Sequence, residues 1–223
     1  MSLIAEDLLL LLLDDESGKV SAFDNVGLAL GCAVLAELAI LGVVEVDERT
    51  SRFRSPKVRV TGPAPEDRVL ADALDVVAEK ERPAQTLVER LGRGLVQSLG
   101  DRMAERGILE RRESKVLGLL PRTRWPAADT SHELEVRQAL TSVLVRGTTP
   151  DPRTGALVAI LVATDRAHKV VDRDGMSRRD VKARAKEVAD GAWAATAVRH
   201  AIQATGVAVT AAVAAAAAGA GSG

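Results

Sequence analysis

The sequence predicts a mainly α-helical fold, a single compact domain of about eight helices with two short β-hairpins. Three observations predict it. Helix start and stop signals punctuate most of the chain. Residues rich in β-formers occur only in short paired runs. Nothing alternates in the βαβ manner of a doubly wound sheet, and no repeat of fixed period is present.

Ser2 is placed to cap a first helix through the leucine run to Leu13, and Asp14-Asp15-Glu16-Ser17-Gly18 turns the chain. Leu28 to Leu41 is apolar nearly all round, so it reads as a buried helix, with Gly42 where a left-handed C-cap belongs. Val43–Val46 and Lys57–Val60 form a hairpin around an arginine-rich loop. Helices follow over 66–80, 85–92 and 95–106, separated by Pro83 and stopped by Gly107. A second hairpin reads as Ile108–Glu110, a polar turn at Arg112-Glu113-Ser114, and the apolar string Val116 to Leu120, ended by Pro121 and Pro126. Thr130 with Glu133 spells a capping box for a helix to Arg146. Asp151-Pro152 opens the next helix, to Ala163, and Ser177 with Asp180 caps another, to Asp190. Trp193 begins the last.

Composition removes several function classes. Aromatic residues make up 2% of the chain and Tyr is absent, which disfavours base-stacking platforms for nucleic acid. Net charge is −1, so no partner class follows from the total, but its distribution is uneven. Met1 to Glu48 carries ten acidic side chains and one basic, whereas Leu87 to Arg124 carries nine basic and five acidic. Such asymmetry steers an anionic partner or marks solvated faces. Cys32, the sole cysteine, reads as a small buried hydrophobe in a cytosolic setting. The sequence shows no secretory signal pattern, and Leu8 to Leu13 is too short to span a bilayer. Ala201 to Ala220 is uncharged but dominated by Ala, and it reads as a core helix running into an Ala/Gly-rich tail. The domain is therefore placed at 1–205 and the tail at 206–223.

Catalytic and metal-binding patterns are missing. His132, His168 and His200 are far apart and none has ligand spacing, so no metal site is expected. The chain has no phosphate-binding loop, dinucleotide fingerprint or nucleophile elbow. The expectation is a non-enzyme without a cofactor.

Several strings, in order, resemble one family. Leu3-Ile4-Ala5-Glu6-Asp7-Leu8-Leu9-Leu10-Leu11 is similar to its opening, and Leu35-Ala36-Glu37-Leu38-Ala39-Ile40-Leu41-Gly42 to its hallmark helix. Arg102-Met103-Ala104-Glu105-Arg106-Gly107-Ile108-Leu109 resembles its helix entering a hairpin, Ala156 to Leu161 its late buried helix, and Trp193 its C-terminal helix. The family is the Golgi phosphoprotein 3-like (GPP34) family, and the resemblance covers nearly the whole chain. The Ala-rich, Arg-over-Lys composition looks like that of a bacterial, actinobacterial member.

The resemblance implies a mainly helical, non-catalytic domain with a pocket for the phosphatidylinositol 4-phosphate headgroup and an apolar hairpin that dips into the bilayer. In eukaryotic members it also implies a role in retaining Golgi glycosyltransferases. The pocket uses a loop Trp, an Arg on the hallmark helix and two Arg on the helix before the hairpin. Here the loop aromatic corresponds to Phe23, the hallmark Arg to Gly31, and the later pair to Arg93 and Val96. One of three arginines is kept, and each missing phosphate contact removes roughly 1.5–3 kcal/mol.

The residues around the second hairpin carry the membrane reading. Val116, Leu117, Leu119 and Leu120 form an apolar tip, and Lys115, Arg122, Arg124 and Trp125 form a basic collar with an interfacial aromatic. The expected partner is an anionic membrane lipid, with Phe23, Arg90 and Arg93 at the headgroup, on the cytoplasmic face of a membrane; nucleic acid is not expected. The competing reading is an ordinary hairpin whose leucines pack on the preceding helix. Two alternatives remain. One is a winged-helix-like DNA binder reading through Leu95–Arg106, which Asp101 and Glu105 oppose by repelling phosphate. The other is a cytosolic scaffold, serving protein clients, with a degenerate lipid pocket.

Overall fold

The computed structural model describes residues 2–20, 26–47, 57–116 and 120–191. Among them, eight α-helices follow in order: α1 (Ile4–Leu12), α2 (Val26–Ile40), α3 (Arg68–Ala78), α4 (Ala84–Leu91), α5 (Leu95–Glu105), α6 (Ser131–Leu144), α7 (Pro152–Ala163) and α8 (Arg178–Asp190). Three strands, β1 (Val44–Asp47), β2 (Lys57–Val60) and β3 (Arg82–Pro83), form one antiparallel sheet. A separate ribbon pairs β4 (Arg112–Val116) with β5 (Leu120–Arg124). The predicted mainly helical class with two small β units is what the chain adopts.

Helix α2 is the centre. Its one charged residue is Glu37, and α1, α3, α4, α5 and α7 all pack on it. Leu30, Leu35 and Leu38 are fully buried there, each favouring the fold by about 1.5–3 kcal/mol. Cys32 is buried among them, as its apolar run predicts. Helix α4 approaches α2 backbone to backbone. A Cβ on Gly27 would lie 2.9 Å from the Gly92 carbonyl oxygen, and one on Gly31 only 2.3 Å from that of Val88. The two glycines, one turn apart on α2, leave the space that α4 fills.

The start of α1 differs from the sequence reading. Leu3, not Ser2, is the N-cap residue. Two buried carboxylates take the free amides of the first turn: the Leu3 N–H donates to Glu6 at 2.8 Å and the Ile4 N–H to Glu37 at 2.6 Å. A carboxylate satisfies an orphan amide and complements the helix dipole better than a serine hydroxyl. Arg153 of α7 closes the knot, pairing with Glu37 and donating to the Ser2 carbonyl at 2.6 Å.

Other caps follow the sequence more closely. Asp151 accepts the Arg153 and Thr154 amides at 2.9 and 3.1 Å, and Ser177 accepts that of Asp180 at 3.1 Å. The Thr130–Glu133 capping box does not form. Asp129 accepts the Ser131 amide at 2.8 Å instead, and Glu133 turns inward to Arg137, 2.6 Å away. The first hairpin has the predicted strands, Val44 facing Val60. Sequence reading took Pro83 only as a separator, yet β3 adds a third strand, on the edge, where a missing N–H costs least.

The second hairpin is shifted. Arg112, Glu113 and Ser114, expected as the turn, lie inside β4 and face Arg124, Thr123 and Arg122. Val116 and Leu120, expected at the two ends of one strand, instead face each other across the ribbon as the end of β4 and the start of β5. This register aligns five pairs, continued by a bridge from Leu109 to Ala127, and tolerates Pro121 because both strands of a two-stranded ribbon are edges. The expected helix from Trp193 and the tail lie outside the described residues.

Candidate functional site

Helices α3 and α5 diverge over the surface of α2 and leave a groove of about 440 Å³. Its floor is apolar: Val34 of α2, Val69 and Ala73 of α3, and Leu91 and Leu95 at the α4–α5 junction. The junction is short. Gly94 takes a φ of +74°, a left-handed conformation that suits glycine, so only three residues separate α4 from α5. This brings Arg90 and Arg93 into the lining of the groove, together with Arg68 of α3 and Arg102 further along α5.

Three of these four cations already face a carboxylate. Arg102 grips Asp67 with two hydrogen bonds, at 2.9 and 2.5 Å, and its Nε lies 3.1 Å from the fully buried Glu6. That guanidinium holds the Asp67 carboxyl below the usual carboxylate range. Arg90 donates to Glu79 at 2.7 Å, a carboxylate that also binds Arg82. Arg68 lies 3.9 Å from Asp72, both well exposed, so this pair is weak. Arg93 is exposed, and its side chain has no partner among the described residues.

Helix α5 also carries the root of the β4–β5 ribbon. The Trp125 indole donates to Asp101 at 3.2 Å, and Arg111, just before β4, lies 3.0 Å from the same carboxylate. The indole lies directly on Gly100, where a Cβ would come within 2.6 Å of the ring. One acidic side chain therefore ties both ends of the ribbon to the helix that lines the groove.

A sequence model of the family described as Golgi phosphoprotein 3 (GPP34) matches residues 4–205. The chain belongs to the GPP34 family. No curated protein sequence matches it.

In this GPP34 chain the expected site residues are only partly gathered. Arg90 and Arg93 both line the groove, though Glu79 occupies Arg90. Phe23, Leu117 and Leu119 lie outside the described residues. Val116, Leu120 and Arg122 are placed by backbone alone, the first two facing each other at the end of the ribbon. Arg124 is half-buried, and its Nε is buried without a hydrogen-bond partner among the described residues. Trp125, expected at a membrane interface, is 6% exposed, because its ring fills the gap over Gly100. It roots the hairpin and does not project from it. The Gly31 position cannot hold a larger residue while α4 lies where it does, so the corner where the resemblance implies an arginine is filled by the Val88 carbonyl.

Sequence reading did not select Arg68 or, as a groove residue, Arg102. A signal existed for Arg102: Leu95, Ser98, Arg102 and Glu105 share one face of a helix by their spacing. Arg68 had none, because its place depends on how α3 packs on α2. A second cavity, of about 280 Å³, lies by Asp7 and Arg153, near the 2.7 Å contact of His132 with Asp7. Among the described residues no His, Cys, Asp and Glu cluster could hold a metal ion, and no helix is long and apolar enough to cross a membrane.

Proposed function

We propose that the chain is a non-enzymatic adaptor that docks peripherally on anionic membrane lipid. The observation carrying this reading is that one helix, α5, joins the arginine-lined groove to the root of the ribbon whose last pair is Val116 and Leu120. Membership of the GPP34 family supports it. Arg93 makes the leading headgroup contact, and the ribbon makes the apolar one. Each basic side chain near an anionic surface adds about 1 kcal/mol, so a few arginines with one apolar tip suffice for reversible binding. Specificity for phosphatidylinositol 4-phosphate does not follow, because Gly31 and Val96 stand where the resemblance implies arginines.

Vesicle flotation tests the proposal. The chain is expected to float with vesicles containing phosphatidylglycerol, to float less as salt rises, and to stay down with neutral vesicles. Arg93→Glu should abolish most of the flotation, and phosphatidylinositol 4-phosphate should add nothing beyond its charge. Failure to float with anionic vesicles at low salt sinks the reading. The DNA-binding alternative gains no support from α5, whose Asp101 and Arg102 are engaged by the ribbon, α1 and α3. A mobility shift on duplex DNA that weakens steeply with salt would reverse that judgement.

A further inference from the structure

We propose that the groove between α3 and α5 binds a single-chain amphiphile with one negative charge, an acyl carboxylate. The inference takes its site from the membrane-docking reading and assigns that site a ligand class. Two properties of the groove lead to it.

The first is the charge balance. Four arginines reach the groove, but Asp67 and Glu6 hold Arg102, and Glu79 holds Arg90. Arg68 has Asp72 nearby. Arg93 is the cation without a partner among the described residues, while the carboxylates of Asp72 and Glu105 also line the groove. One unpaired cation, with Arg68 only loosely paired and two acids lining the same groove, complements a single negative charge better than a multiple one. A multiply phosphorylated headgroup would meet too few free donors and would be repelled by both acids.

The second is the floor. Val34, Val69, Ala73 and Leu95 offer a polar headgroup nothing, but they suit a hydrocarbon chain. The volume, about 440 Å³, falls in the range of small-molecule sites, roughly 300–1,000 Å³. A chain lying along α3 and α5 with its carboxylate at Arg93 uses both the apolar floor and the one free charge.

Calorimetric titration of the full chain with decanoate, kept below its micellar concentration, tests this. Decyltrimethylammonium carries the same chain with the opposite charge, and inorganic phosphate supplies an anion without a chain. Decanoate should bind saturably and the other two should not. Arg93→Gln should weaken decanoate about tenfold or more, the loss expected for a charge-assisted bond. Ser98→Phe, at an exposed position on the groove wall, should block binding by filling the groove. Both side chains are exposed, so both variants should keep the wild-type unfolding midpoint. No saturable decanoate binding, equal affinity for the decyl cation, or indifference to both substitutions overturns the proposal. Flotation without decanoate reads the membrane proposal separately. A chain that floats but ignores decanoate overturns this inference alone, and one that binds decanoate but never floats upholds it while overturning the membrane reading.

Discussion

Asp67 serves two partners at once. One carboxylate oxygen accepts the Val69 amide at 2.9 Å, capping α3, while both oxygens hold Arg102. Its pKa is held down mainly by that arginine, so the folded state binds its proton less tightly than the unfolded chain does. The resulting stability is present above the unfolded value near pH 4 and is lost as pH falls through the lower folded value. Asp67→Ala should cost about 1–2 kcal/mol in urea unfolding at pH 7, and the penalty should shrink towards pH 3. His168 has the opposite environment. Its Nδ1 is buried without a hydrogen-bond partner among the described residues, and burial, then the Arg178 charge, push its pKa down. Lys182 and Lys169 act in the same direction, and Asp165, 3.9 Å away, opposes them. Between the lowered folded value and about 6.5 the unfolded chain binds more protons, so stability falls as pH drops from 7 towards 5. His168→Gln should flatten that part of the curve, as thermal unfolding across the range will show. The sequence displayed this histidine but not its isolation, because burial is a property of the packed α7–α8 corner.

At the scale of elements, the α2–α4 contact is the most constrained. Gly31→Ala forces α4 away from α2 and should cost about 1–3 kcal/mol, measurable by chemical denaturation, whereas Gly42→Ala meets no neighbouring atom and pays only for its φ of +71°. Most helices were legible because their caps and apolar runs are local. The Asp151 and Ser177 caps landed where their residue types placed them. The Thr130 box did not, because Glu133 finds Arg137, which in turn donates to the Val170 carbonyl at 3.0 Å. A partner one turn along α6, itself anchored on Val170, outcompeted the cap. The hairpin register failed for a similar reason. Polar residues at 112–114 look like a turn, but the choice between registers depends on the pairing it permits and on where Trp125 can be buried.

Across the whole molecule, Glu37 joins three distant parts of the chain. It is 4% exposed, accepts the Ile4 amide and pairs with Arg153, so α1, α2 and α7 meet at one carboxylate. Glu37→Ala leaves Arg153 without that partner and should cost about 3 kcal/mol or more, whereas Glu37→Gln, which can still accept the amide, should cost less. Both are readable from guanidinium unfolding. By itself the sequence determined the helical class, most of the described helices, the Asp151 and Ser177 caps, and an arginine-rich stretch next to an apolar string. Those features follow from hydrophobic period, cap chemistry and composition, all of which are local. Tertiary structure alone decided that Glu79 occupies Arg90, that Arg93 has no partner among the described residues, and that Trp125 is a root and not an anchor. Each of these depends on which carboxylate or ring surface the fold brings within a few ångströms, a distance that no spacing along the chain encodes.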